Sequence, residues 1–424
     1  MKLKQNKIVF LLQLAIFFGW SAQAQERKFS LEEVKSLALE NNKKLQRSQK
    51  AIDAANAGLS ASKAMGKPTL DGSAMGLYIS GPLNTLIPDL QASTTLSAQQ
   101  VIYAGGKIQT AKRLAQSNVE LQTAQKSLTE DEVLLQITSA YWNIVNLKEK
   151  VVLSTNYINL LKSLNRSLKN SFDAGLIYKN DLLKVEVKQN EAELNFTKVG
   201  NGLIMAKLSL AQMLGKPGEL VDVQDSALVS YKDVLKADKS NIEKRPEIIM
   251  MNKSLEIQQS QTKLLKAEQK PSVALGAYGV SAFGKNININ NGKNAMPFFV
   301  GMISVNVPIL DWGKRKQKVK EQQFKVESQK LELDETRELV DLEIQNAWFN
   351  VNQSIRRIKL TETSLQQAEE NLRLNQDRLT SGTVLGDDVL EAQVLWQEAY
   401  SNLIDARAEY KVNEAKYQKA TSIY

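Results

Sequence analysis

Residues 107–174 and 314–381 are two stretches of 68 residues that contain neither glycine nor proline, and they begin 207 positions apart. Gly106-Lys107 and Gly313-Lys314 open them, Gly175 and Gly382 close them, and an aspartate follows six residues beyond each closing glycine, Asp181 and Asp388. Uninterrupted helix over such a run would reach roughly 100 Å at ~1.5 Å per residue. Globular helices average only about three or four turns, so the pattern predicts a spacer or the wall of a tube and argues against a compact enzyme.

The same offset of 207 relates Gln116 to Gln323, Val119 to Val326, Ala140 to Ala347 and Asn143 to Asn350. It continues through Leu183 and Leu390, Glu191-Ala192 and Glu398-Ala399, and Asn195 and Asn402. A constant offset over this length means that the duplicated unit tolerates no insertion, as expected of helices packed side by side in register. Pro68 and Pro271 stand 203 apart, so the two units differ in length only between those prolines and the long helices.

Lys2, Lys4 and Lys7 precede an apolar stretch at 8–20, and Ala22-Gln23-Ala24 supplies the small-x-small pattern of a cleavage site. Residues 1–24 therefore read as a secretory signal peptide, too short in its apolar part to span a bilayer. The chain has no cysteine, which rules out a lipobox lipid anchor and any disulfide. Loss of the three signal lysines lowers the formal charge from +9 to +6. This modest excess is dispersed along helices and gives no reason to expect nucleic acid as a partner.

Beyond residue 24 no window resembles a transmembrane helix. A β-barrel is then the remaining way to cross a membrane. Each unit offers two candidate strands between its proline and its long helix, 69–80 and 92–103 in the first, 272–283 and 298–309 in the second. Leu70, Ala74 and Tyr78 alternate with Asp71, Ser73 and Met75, and Phe299, Ile303, Val305 and Val307 mark one face. The segments between, 81–91 and 284–296, are rich in turn residues. Four strands cannot close a barrel alone, because the smallest single-chain barrels have about eight. Either these strands are soluble hairpins or several chains share one barrel.

A helix is expected over 31–64, opened by a capping box of Ser30 and Glu33, with a counterpart at 247–270 entered through Pro246. Helices 182–214 and 389–422 follow the reversals. The chain thus divides into a first repeat, 25–219 (helix, two strands, long helix, helix), a linker with a lateral element, 220–245, and a second repeat of the same order, 246–424. Tyr141-Trp142 and Trp348-Phe349 read as interhelix packing, and Lys314-Arg315-Lys316 as a solvated helix start.

In this order and spacing the chain resembles the TolC-type outer-membrane efflux proteins over essentially the whole length beyond the signal. The resemblance is carried by Asn41-Asn42-Lys43-Lys44-Leu45, by Gly106-Lys107 and Trp312-Gly313-Lys314, and by the reversals Ala174-Gly175…Asp181-Leu182-Leu183 and Ser381-Gly382…Asp388-Val389-Leu390-Glu391-Ala392. One departure is Asn42-Lys43, where the family often has Asn-Pro. The resemblance implies a mainly α fold with membrane β: a tandem-duplicated protomer of a homotrimer that pools about four strands per chain into one barrel, continued by a long periplasmic helical barrel. It implies a passive exit duct for efflux or type I secretion in the outer membrane of a Gram-negative bacterium, contacting outer-membrane lipid. A periplasmic adaptor (membrane fusion protein) and an inner-membrane transporter would be its partners. It further implies that Ala174, Gly175, Leu176, Ser381, Gly382 and Thr383 form the adaptor-docking tips and that Asp388 and Glu391 line a periplasmic gate. Spacing alone allows Asp388 and Glu391 to share a helix face, and it equally allows Asp181 and Asp388 to act as helix caps.

No chemistry is expected of the chain. It has no histidine and no cysteine, which removes the commonest general base, metal ligands and thiol nucleophiles, so no catalytic residue, cofactor or metal site is assigned. The competing reading from another class is a secreted coiled-coil scaffold without a pore. Such a scaffold would need a stricter seven-residue seam and would have no use for four strands at matched positions.

Overall fold

The computed structural model describes residues 28–81, 88–224, 231 and 236–422. The signal segment and much of the stretch 225–235 lie outside these. In chain order the elements are β1 (Lys28–Phe29), α1 (Leu31–Asn41), α2 (Lys43–Ala64), β2 (Thr69–Tyr78), β3 (Leu90–Ala104), α3 (Lys107–Asp173) and α4 (Lys179–Met213). Then come β4 (Asp222–Val223), α5 (Pro246–Ala267), β5 (Ser272–Gly284), β6 (Ala295–Asn306), α6 (Lys314–Thr380) and α7 (Gly386–Thr421). The two long helices have 67 residues each.

Ser30 and Glu33 form the expected capping box, with Ser30 N–H donating to Glu33 at 2.9 Å and Glu33 N–H to Ser30 Oγ at 3.2 Å. The single helix expected over 31–64 is interrupted at Asn42, whose backbone is extended (φ −67°, ψ 127°). There its side-chain amide donates to the Met213 carbonyl at 2.9 Å. Asparagine thus makes by hydrogen bonding the break that proline would make by sterics. The helices after the reversals start at Lys179 and Gly386, earlier than the positions 182 and 389 read from the sequence. Their N-cap residues are Tyr178 and Leu385.

The four longer strands form one antiparallel sheet in the order β2-β3-β5-β6. The two hairpins join where β3 meets β5 across the repeat boundary, with Leu96 opposite Gly279 and a bulge between Val101 and Tyr103. Register puts Leu70, Tyr78, Leu90, Leu96, Leu275, Phe283, Phe299, Ile303 and Val305 on one face, all of them exposed. Asp71 is the sheet's single charged residue and lies on the other face, with Ser73, Thr95, Ser97, Gln99 and Ser304. Among the described residues, β2 and β6 each have one neighbour, leaving both outer edges unpaired. Val307 falls just beyond the end of β6.

The chain divides into two compact units, each drawing on both repeats. One comprises 44–130 and 238–344 and contains the sheet. Its helices are tied by polar contacts: Glu256 accepts from Ser117 Oγ at 3.2 Å and pairs with Arg113 at 3.5 Å, and Lys253 pairs with Glu120 at 2.6 Å. Arg245, almost fully buried, is held by Glu247 at 2.7 Å and Glu343 at 2.6 Å.

The other unit comprises 1–43, 131–237 and 345–424. Leu161, Leu164 and Leu168 of α3, Val185 of α4 and Val389 and Leu390 of α7 form one core cluster; Val351, Ile355 and Ile358 of α6 pack with Leu403, Ala406 and Tyr410 of α7 in another. The lateral element is the parallel pair β1–β4. Asp222 is buried there between Lys148 and Lys207, each at 3.3 Å. Burial works against its charge, but the Val223 N–H and the two lysines outweigh it and hold the carboxyl below the usual range. Tyr141 and Trp142 are buried as expected, whereas Phe349 is exposed. In this unit Phe349 and Leu360 of α6 are exposed eleven residues apart, and in the other unit Phe324, Leu331 and Leu342 of α6 are exposed at spacings of seven and eleven. Either spacing keeps side chains near one line of a 3.6-residue helix.

Candidate functional site: the helix reversals and the sheet

Both reversals use the same end for a helix. Gly175 and Gly382 are left-handed (φ 73° and 67°). Gly175 N–H donates to the Phe172 carbonyl at 2.9 Å and Leu176 N–H to Ser171 at 2.9 Å; Gly382 N–H donates to Leu379 at 3.0 Å and Thr383 N–H to Arg378 at 2.9 Å. These are Schellman-type closures, which recover carbonyls the helix leaves unsatisfied. Ala174, Gly175, Leu176, Ser381, Gly382 and Thr383 are all exposed, so the reversals display a small and mostly neutral surface.

The aspartates lie three residues past the N-cap positions, not at the caps the sequence suggested. Neither is the N-cap residue; both occupy the third helical position. From there Asp388 accepts the Leu385 N–H at 3.0 Å. Leu385 has no side-chain acceptor to return, so only half a capping box exists. Asp181 contributes its N–H to the Tyr178 carbonyl at 3.2 Å and places a carboxylate near the positive end of the helix. Asp388 and Glu391 are exposed on the first turns of α7.

Two features of this region were missed in the sequence. Lys184, at the position equivalent to Glu391, bridges to Asp387 across α4 and α7. The hydrogen bond that Lys184 donates to the Asp387 carboxylate raises the lysine's pKa. Gly386 is buried, and a Cβ there would stand 2.5 Å from Leu168 Cδ2, so α7 begins against α3 only because that residue has no side chain. A glycine at the first position of a helix, opposite a lysine in the other repeat, was the available signal.

The corners between sheet and long helix are the second shared feature. Gly105 and Gly106 precede α3 with φ 62° and 90°, and Trp312 and Gly313 precede α6 with φ 56° and 81°. Asp311 fixes the second corner, accepting Gly313 N–H and Arg315 N–H at 3.1 Å each. Among the described residues no helix is long and apolar enough to cross a membrane, and no group of three or more acidic side chains is placed to hold a metal.

Two hairpins in one apolar-faced sheet, each leading into a very long helix that reverses at a glycine, make up the protomer architecture of TolC-type channels. Residues 34–216 and 239–421 match the outer membrane efflux protein family, and the chain belongs to it. The fold is similar to that of CusC, with a TM-score of 0.82 at 17% identity over 95% of each chain. It is also similar to the CmeC outer membrane channel of Campylobacter jejuni, with a TM-score of 0.80 at 19% identity over 92% of this chain and 85% of that one. In sequence it is 23% identical to the cobalt-zinc-cadmium resistance protein CzcC of Cupriavidus metallidurans over 64% of this chain and 63% of that protein. It is 18% identical to the outer membrane efflux protein BepC of Brucella suis over 87% of this chain and 77% of that one. A pore-less scaffold leaves the sheet with its bare apolar face unexplained.

Proposed function

We propose that the chain is one third of a passive exit duct of the bacterial outer membrane, serving efflux or type I secretion. The observation that carries this reading is the sheet: an uncharged, largely apolar face, a mixed face opposite that holds Asp71 and most of the polar side chains, and both outer edges unpaired among the described residues. Lipid does not tolerate unsatisfied strand edges. Three copies joining β2 of one to β6 of the next would close a barrel of about twelve strands, with Leu70 and Ile303 toward lipid and Asp71 and Gln99 toward water. The exposed apolar side chains on α6 suit a second copy in the same assembly, as does a stripe on α4 of Leu183, Val187, Leu194 and Met205. The duct performs no chemistry; an inner-membrane transporter supplies the energy and a periplasmic adaptor joins the two. The adaptor docks on the reversals around Gly175 and Gly382, and Asp388 and Glu391 line the constriction that α7 closes.

The test is fractionation, mass and conductance on the same preparation. Expected are extraction from outer membranes by detergent only, a trimeric mass and single-channel conductance in planar bilayers. Gly382→Val should abolish export in cells while leaving trimers in the membrane. Soluble monomers or dimers, or trimers that conduct nothing under any voltage, would remove the duct reading.

A further inference from the structure

We propose that the half-open cavity between α3, α4 and α7 is a binding site for a small organic ammonium ion. The cavity has a volume of about 230 Å³. Two hydroxyls form its floor: Ser154 and Tyr157 are only 7% and 9% exposed, and among the described residues neither hydroxyl has a hydrogen-bond partner. Both oxygens stay accessible from the cavity; the fully enclosed unpaired side-chain atoms among the described residues are Gln393 Oε1 and Ser422 Oγ. Two accessible hydroxyls without a protein partner, opening into the same space, leave places for a ligand's donors.

The rim carries the charge. Glu191 and Glu398, equivalent positions of the two repeats, both line the cavity, and both are exposed. Lys188 pairs with Glu191 at 2.8 Å, which leaves the Glu398 carboxylate in excess and the site with a single net negative charge. Asn195 and Gln397 add amide oxygens. Burial, together with the charges of Glu191 and Glu398, pushes the Tyr157 hydroxyl up to about 12, so at neutral pH it is an uncharged group able to accept from a cation.

Size and lining choose the class of cation. At ~30 Å³ per water the space corresponds to about eight water molecules, too wide for a bare metal ion bonded directly to its walls. A metal would also have to stand beside the Lys188 ammonium. A protonated amine on a short carbon skeleton uses the hydroxyls and the carboxylate with its head and covers the buried Ala192 with its body. The inference rests on a cavity within one chain and is independent of the trimeric duct.

The experiment is calorimetric titration of the detergent-solubilised full chain with benzylammonium, benzyl alcohol and calcium chloride. Benzylammonium should bind at least about tenfold more tightly than the alcohol, the margin of a charge-assisted hydrogen bond. Glu398→Gln should weaken it about tenfold and Tyr157→Phe about threefold or more. Glu193→Gln, an exposed acid on the same helix outside the cavity lining, should leave it unchanged. Equal affinity for the alcohol, no binding up to millimolar amine, or undiminished binding by Glu398→Gln would overturn the proposal. Displacement of the amine by calcium at equal or lower concentration would overturn it in favour of a metal site. The amine–alcohol comparison needs only the unmodified protein, so it decides the matter even if a variant fails to assemble.

Discussion

The corner before α3 and the corner before α6 share a left-handed backbone and differ in what surrounds it. At Gly105 a Cβ would fall 2.7 Å from the Ala267 carbonyl and 2.8 Å from Lys270 Cβ. Its counterpart Trp312 is 93% exposed and accepts the same φ with a bulky side chain. Left-handed conformation costs an L-residue about 1–2 kcal/mol, a strain the surroundings of Trp312 permit and those of Gly105 do not. Duplication conserved the conformation, and the neighbours decided whether glycine was obligatory. In the proposed barrel, an exposed indole at the end of the sheet would also take the interfacial position that tryptophan favours.

The sharpest way to break this comparison is Gly105→Ala beside Trp312→Ala. The first adds a clash with backbone to left-handed strain and should cost about 3 kcal/mol or more. The second keeps the strain and loses no packed contact, so it should change stability by under about 1 kcal/mol. Thermal or denaturant unfolding of the purified protein measures both. A loss of only about 1–2 kcal/mol in Gly105→Ala would mean that conformation alone, not the approach of Ala267, makes glycine necessary.

The reversals offer the next contrast. Here the backbone is the same in both repeats and the charges are not: the first repeat presents Lys184 where the second presents Glu391. Because Lys184 bridges to Asp387, it clasps α4 to α7 near the tips. Lys184→Glu sets like charges against each other and should loosen the clasp, raising open probability in planar bilayers several-fold. Alkali should act in the same direction. The bonded lysine has its pKa raised, so the clasp's contribution is complete below the free-lysine value of about 10.4 and is lost as pH rises through the higher, folded value. Unaltered gating in Lys184→Glu would reduce the pair to surface decoration.

Much of this was readable in the chain and some was not. Gly175 and Gly382 announced the reversals because a left-handed cap is a local requirement, and the 68-residue runs without breakers announced α3 and α6. The capping box at Ser30 is likewise local. What escaped depends on partners far along the chain. Asn42 breaks its helix because the Met213 carbonyl waits for its amide, and Gly386 is glycine because Leu168 leaves no room for a Cβ. Lys184 has its role because Asp387 stands across from it on α7. The alternation of β2 was blurred by Met75 and Leu77 on the polar side; only register against β3 separated the faces.

The finest distinction concerns the acids that remain once the clasp is formed. Asp388 already has a structural task, accepting the Leu385 N–H at 3.0 Å, whereas Glu391, three residues on, is exposed with no such bond. If both also line the constriction, a trimer gathers six carboxylates in a narrow passage, and a ring of one sign concentrates counter-ions and favours cations. Asp388→Asn with Glu391→Gln preserves shape and removes that charge. The cation-to-anion permeability ratio should fall by about threefold or less, since water in the lumen screens each charge, and block by multivalent cations should weaken with it. The single variants apportion the effect: Asp388→Ala, which removes the acceptor as well as the charge, should also fray the start of α7, by about 1 kcal/mol for a lost capping contact, seen as faster amide exchange near Leu385, while Glu391→Gln should change selectivity without touching exchange. A double variant with unchanged permeability ratio and block would leave Asp388 a helix-start residue only and place the constriction's charge elsewhere along α7.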